Sequence, residues 1–204
     1  GSPVSWVFDK DGDSYIEKST DGDFVKIFTG QRRGGYNYFA FDVTPTDVLN
    51  DALTTGKITP RLMWQISNDP AGNKTAGFEQ MGQTWSKTFR TNILMEGTPE
   101  PVKKSVLVFG GGYDDIYDND PPNNTNIGAA DQGNAIYVVD ANTGELIWSV
   151  SNANAISTTA AMQYSIPSDI RLIDMDGDNA TDRLYVGDMG GQVWRVDFTG
   201  PLKK

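Results

Sequence analysis

Short apolar runs cut by Gly, Asn, Asp and Pro, a strand unit that recurs along the chain, and a ladder of aspartates leading into a strand together predict an all-β fold of propeller-type blades. The expected strands are Phe24–Thr29, Tyr38–Val43, Arg61–Ile66, Val106–Phe109, Ala135–Val139, Leu146–Val150, Arg183–Val186 and Val193–Phe198. Only Thr46–Leu53 reads as helical, with Thr46 as N-cap and Asp47 in the first turn.

The runs recur as a unit. A first element ends in glycine: Val25-Lys-Ile-Phe-Thr-Gly30, Val106-Leu-Val-Phe-Gly-Gly111, Leu184-Tyr-Val-Gly187. A second ends in aspartate: Tyr38-Phe-Ala-Phe-Asp42, Ile136-Tyr-Val-Val-Asp140, Val193-Trp-Arg-Val-Asp197. A third carries tryptophan and ends in Ser-Asn, in Leu62-Met-Trp64-Gln-Ile-Ser-Asn68 and Leu146-Ile-Trp148-Ser-Val-Ser-Asn152. Asn142-Thr-Gly-Glu145 makes a tight hairpin turn between second and third elements. Strands joined by short turns and repeated with loop insertions are the mark of propeller blades.

The glycines let backbones crowd and turns adopt positive φ. Trp64 and Trp148 are expected between neighbouring blades, and the insertions Thr46–Thr59 and Asp114–Ala130 on loop faces, where binding usually resides. Three blades are recognisable, at about 24–68, 106–152 and 183–198, and the remaining strands are material for a fourth. A closed ring at about 40–45 residues per blade needs more chain than 204 residues. Residues 1–204 are therefore read as one partial ring or a fragment of a larger one, and Gly1-Ser2 as a cloning scar on an excised domain.

The aspartate ladder is Asp174-Met-Asp176-Gly-Asp178-Asn-Ala180-Thr-Asp182. Carboxylates stand at relative positions 1, 3, 5 and 9, and Ala180 at position 7 offers its backbone carbonyl. Ca²⁺ takes about six to eight oxygen ligands, and such loops supply most of them. Asp and Gly also dominate plain turns, but the alternation and the strand that follows favour a cation, which offsets the repulsion among four carboxylates. The loop is not an ordinary EF-hand: position 12 is Tyr185 rather than Glu, and Asp182 closes the set instead.

A weaker second copy is Asp9-Lys-Asp11-Gly-Asp13-Ser-Tyr15-Ile-Glu17, with Tyr15 at the carbonyl position and Lys10 offsetting some charge. Asp21-Gly-Asp23 reads as a turn into the next strand. The third acidic stretch, Tyr113–Asp120, lacks the alternation and reads as a solvated loop.

Composition excludes several function classes. Lys+Arg is 17 against Asp+Glu 27, a formal charge of −10 that repels nucleic acid and disfavours anionic membranes. Cysteine and histidine are both at 0, which removes thiolate nucleophiles, disulfides, the Ser-His-Asp triad and the common zinc sites. The chain is not expected to be an enzyme. No apolar run approaches the roughly 20 residues that span a bilayer, so direct membrane insertion is not expected, and no signal peptide is visible.

Several segments in one order resemble the C-terminal domain of the PilY/PilC-type proteins, the tip-associated adhesins of bacterial type IV pili. They are Gly34-Gly-Tyr-Asn-Tyr-Phe-Ala-Phe-Asp-Val-Thr44, Gly82-Gln-Thr-Trp-Ser86, Val108-Phe-Gly-Gly-Gly-Tyr-Asp114, the run from Gly133 to Trp148, the aspartate loop, and Tyr185 to Asp197. The resemblance implies a modified β-propeller with calcium at Asp174, Asp176, Asp178, Ala180 and Asp182. It also implies a role in pilus biogenesis, twitching motility, surface sensing, adhesion and virulence, with calcium occupancy tied to the balance of pilus extension and retraction. Minor pilins or other tip components, and a host-cell surface ligand, are the implied partners. The implied location is the pilus tip or bacterial surface, reached through the periplasm. The family's Arg-Gly-Asp motif is missing here, so integrin binding is not carried over.

Two other resemblances weigh less. The pattern at 140–148 is similar to quinoprotein dehydrogenase repeats, whose enzymes need a full propeller, a cofactor pocket and usually a cysteine pair. An integrin-like calcium-hairpin propeller, which binds a protein or glycan without catalysis, also fits an aspartate loop followed by a strand ending in glycine.

Overall fold

The computed structural model describes residues 2–14, 16, 22–45, 59–118, 130–198 and 200–202. Its strands are β1 (Val4–Phe8), β2 (Phe24–Gly30), β3 (Asn37–Asp42), β4 (Arg61–Ser67), β5 (Phe89–Met95), β6 (Val102–Gly110), β7 (Ala135–Asp140), β8 (Leu146–Ser151), β9 (Ser157–Thr158), β10 (Arg171–Ile173), β11 (Arg183–Gly187) and β12 (Val193–Asp197). They form three sheets, β1-β2-β3-β4, β5-β6-β7-β8-β9 and β10-β11-β12. Neighbouring strands pair antiparallel, apart from the short parallel pair β8 and β9.

All eight expected strands are present. The strands expected to supply a fourth blade do something else: β1 pairs with β2, β5 with β6 and β10 with β11, so each unit gains a strand in front. The physical reason is the glycine-ended strand, whose outer edge otherwise shows unpaired N–H and C=O groups. The expected helix Thr46–Leu53 lies outside the described residues.

The middle sheet is covered on both faces. Alternation along β6 and β7 sends Leu107, Phe109, Tyr137 and Val139 one way, against Phe28, Tyr38, Trp64 and Ile66 of the first sheet. It sends Val106, Val108, Ile136 and Val138 the other way, against Leu184, Val186 and Phe198 of the third. Hence every residue of β7 is buried, an almost wholly apolar run rather than an alternating one. Each large side chain buried there contributes about 1.5–3 kcal/mol.

The internal repeat extends to irregularities. β3 slips register between Ala40 and Phe41, and β7 between Val138 and Val139, the same step before the terminal aspartate. At each step the residue before the slip faces a tryptophan: Ala40 opposite Trp64, Val138 opposite Trp148. Both tryptophans pack as expected, Trp64 in the core shared by the first two sheets and Trp148 against the core shared by the last two. The turn after β7 brings Gly144, at φ +74°, so close to the Trp64 ring that a Cβ would lie 2.8 Å from it.

The recurrent aspartates end their strands as caps. Asp42 accepts from the Thr44 amide (2.9 Å) and pairs with Arg61 (3.1 Å). Asp140 accepts from the Asn142 amide (2.7 Å) and pairs with Lys104 (2.6 Å). Asp197 pairs with Arg183 and with Arg195 (2.7 Å). Burial pushes the Asp140 carboxyl up, but Lys104 and the turn amides outweigh it and hold the group below the ordinary carboxylate value. A depressed folded value stabilises the fold above the unfolded pKa, about 3.9, and that stabilisation is lost as pH falls through the folded value. Asp140→Asn is therefore expected to be less stable than the parent at neutral pH, with the gap closing in acid. Denaturant midpoints measured from pH 7 down to 3 check this.

Candidate metal centre

The aspartate loop is the whole connection of a two-stranded hairpin, running from the end of β10 to the start of β11. The Asp182 amide donates to the Ile173 carbonyl (3.0 Å) and closes it. Inside, Asp174 accepts from the amides of Gly177 (2.8 Å) and Asn179 (2.8 Å), Asp176 from Asp178 (3.1 Å), and Asp182 from Met175 (2.6 Å). Gly177 and Asn179 take positive φ, +78° and +65°, the left-handed conformation that the tight turns of the loop require.

Carboxylate oxygens of Asp174, Asp176 and Asp182 lie within 4.8 Å of one another. Desolvation pushes Asp174 up, but the Gly177, Asn179 and Asp178 amides together outweigh it and hold the group below the ordinary carboxylate value, so it is ionised at neutral pH. Asp178 stands outside this cluster. Its Oδ1 accepts from the Ala180 amide (2.7 Å), and its Oδ2 lies 3.9 Å from the Lys103 ammonium, which also donates to the Asp178 carbonyl. The donor set is oxygen only and anionic, the chemistry that suits a hard cation.

The loop is docked on the middle sheet by residues the sequence reading missed. The Asn92 side chain donates to the Asn179 carbonyl (3.1 Å), the Thr181 amide donates to the Asn92 carbonyl (2.8 Å), and the Thr91 and Thr181 hydroxyls meet at 2.7 Å. Lys103 and Asn92 stand 75 and 87 positions from their partners, so no local spacing reveals them.

The weaker copy repeats three of these internal bonds, while its Lys10 amide, the counterpart of the Met175 amide, donates to Asp23 (2.9 Å). Asp9 accepts from Gly12 (2.8 Å) and Ser14 (2.9 Å), Asp11 accepts from Asp13 (3.2 Å), and Gly12 and Ser14 take φ +79° and +71°. Here the clustered carboxylates are Asp9, Asp11 and Asp13, at positions 1, 3 and 5. Tyr15 and Glu17 lie outside the described residues. This loop too follows the first strand of its sheet and leads to the second, β1 to β2. In the middle sheet the same place, between β5 and β6, is held by Glu96-Gly-Thr-Pro-Glu-Pro101.

The stretch read as a solvated loop is partly otherwise. Asp115–Asp118 forms a 3-10 turn, and Asp114 is buried, accepting from the amides of Ile116 (3.0 Å) and Gln132 (3.0 Å). Burial is possible because these two donors replace water. Asp118 pairs with Arg33 (2.7 Å) at a cavity of about 370 Å³, which Trp85, Tyr113, Pro167 and Met189 also line.

The family model described as the PilY1 beta-propeller domain matches residues 7–203. The chain belongs to the PilY1 β-propeller domain family. Its three sheets are blades of that propeller, a partial ring with open sheets. Among curated proteins this PilY1-type domain is 25% identical over 194 residues to the "Type IV pilus biogenesis factor PilY1 homolog" of Xylella fastidiosa (strain Temecula1). The match covers 92% of this chain and 10% of that protein's length. Among solved structures it is similar to the Pseudomonas aeruginosa PilY1 C-terminal domain, with a TM-score of 0.57 and 23% identity over 97% of this chain and 30% of that one. That likeness is one of fold. Among the described residues of this PilY1-type domain, no helix is long and apolar enough to cross a membrane.

Proposed function

We propose that this domain is a non-enzymatic calcium-binding module of a type IV pilus biogenesis protein. Calcium is held by Asp174, Asp176, Asp178 and Asp182 with the Ala180 carbonyl, and the Asp9–Asp13 loop is a second site. The observation that carries the reading is the repeat of one loop pattern, with three amide-to-carboxylate bonds in common, at two equivalent hairpins. Bound calcium supplies the divalent charge that offsets clustered carboxylates. The protein's own part is to fix the loop at both ends: Asp182 sits one residue before β11, and its carbonyl accepts from the Phe198 amide (2.7 Å) beyond β12. Ordering the loop thus orders the strand ends it joins, which is how occupancy can switch a docking surface.

The pilus role draws support from the family and from the name of the relative, which is a type IV pilus biogenesis factor. In this reading the domain works outside the cell, at the pilus tip or bacterial surface. It meets minor pilins or other tip components and a host-surface ligand. Its calcium occupancy sets the balance of extension and retraction, and so twitching motility and adhesion. A second reading, a calcium-hairpin module that binds a protein or glycan without acting on retraction, is favoured by the placement of both loops at hairpins.

Calorimetric titration of calcium into chelator-treated protein tests the site. Binding in the micromolar to millimolar range is expected, with a thermal stabilisation of about 2.7 kcal/mol at a hundredfold excess over Kd. A folded protein that gives no heat and no calcium-dependent thermal shift leaves two acidic turns and removes the reading. Twitching by cells carrying the full-length protein with Asp182→Ala separates the two roles: retraction control requires a change, the hairpin-adhesin reading does not.

A further inference from the structure

We propose that Lys103 sets the calcium affinity of the 174–182 loop by competing for Asp178. The inference rests on the calcium reading above. Two loops that share three internal amide-to-carboxylate bonds differ in where they place the position-5 carboxylate. In the first, the position-5 residue Asp13 has an oxygen within 4.8 Å of those of Asp9 and Asp11. In the second, the position-5 residue Asp178 is left out of the cluster formed by Asp174, Asp176 and Asp182. What Asp178 faces instead is a cation of the protein itself: the Lys103 ammonium donates to its backbone carbonyl and lies 3.9 Å from its Oδ2.

Lys103 belongs to β6 of the middle blade, while Asp178 belongs to the hairpin of the third. The pair is therefore a contact between blades as well as within the site. It is also only partly shielded, with side-chain exposures of 45% and 33%, so it can be exchanged at low cost. For Asp178 to serve as the position-5 ligand, its carboxylate must leave Lys103 for the ion. The ammonium is then a like charge beside a divalent cation. Both steps lower affinity. Calcium entry and release of the Lys103–Asp178 contact become one equilibrium, which links occupancy of the loop to the seam between the second and third blades.

The test is Lys103→Met, with Lys103→Gln as a second variant that keeps a polar end, titrated with calcium chloride by calorimetry. Each is expected to bind about two- to fivefold more tightly than the parent, the range carried by a partly exposed ion pair. Linkage requires a matching signature in stability. The variants should melt below the parent in excess chelator, and level with it or above it in saturating calcium. A merely structural Lys103 lowers both melting temperatures alike, and that outcome overturns the proposal. So does unchanged or weaker calcium binding by variants whose parent binds well. If the folded parent binds no calcium, the reading of the site fails first and this inference falls with it.

Discussion

Phe109→Ala is expected to cost about 3–5 kcal/mol of folding stability, enough to threaten a domain whose whole margin is about 5–15 kcal/mol. Phe109 has no exposure and lies in the core between the first two blades. Its ring is 4.4 Å from that of Tyr38 and 5.6 Å from that of Tyr137. Both neighbours are themselves fixed. Tyr38 spans the gap to donate to the Ser86 carbonyl (2.6 Å), and Tyr137 belongs to a strand buried on both faces. Neither can fall into the space the phenyl vacates, so the cavity term is added to the transfer term. Loss of Phe109 also weakens the seam between the first two blades, because its ring belongs to the core they share. Equilibrium denaturation checks the prediction: a drop below about 1 kcal/mol means that the site collapses freely, and the tight inter-blade seam described above is then wrong.

Asp182→Ala is expected to abolish measurable calcium binding at the third-blade loop. The carboxylate is one of three already gathered, and it also receives the Met175 amide at 2.6 Å, which folds the loop's first turn back on its last. The variant thus loses an anionic ligand and the bond that shapes the site. Loss of an outer partner alone typically costs about 10–100-fold in metal affinity; a direct charged ligand costs more. Calorimetry should show one binding step fewer, or none, with the circular dichroism spectrum unchanged. Retention of a full parental isotherm places the measured calcium at Asp9–Asp13 instead.

Strand identity was legible wherever residues repeat with the blade. Glycine-, aspartate- and tryptophan-bearing runs recur because each blade must make the same turns and fill the same seam. The added strands were not legible, for reasons specific to each. β5 reads Phe-Arg-Thr-Asn-Ile-Leu-Met, with polar residues that serve the neighbouring loop through Thr91 and Asn92 rather than any β pattern. β9 and β10 are two and three residues long, too short for periodicity to register. In the candidate centre, the alternation of aspartates singled out four carboxylates of one loop, and three of them, Asp174, Asp176 and Asp182, lie together. It could not foretell the turning aside of Asp178, because Lys103 arrives from another blade. Nor could it foretell the burial of Asp114, whose amide donor Gln132 lies 18 positions away.

The placement of the two aspartate loops has a bearing on descent. All three blades join their first and second strands at the same corner, and there two carry the loop while the middle one carries Glu96–Pro101. The corner is an exchangeable insert, since a blade closes with either segment and, among the described residues, neither inter-blade core includes a residue of it. A lineage can therefore acquire, lose or relocate an ion-binding corner by short replacements at the hairpin, without repacking the domain. Metal dependence in such proteins is free to diverge faster than the fold that displays it.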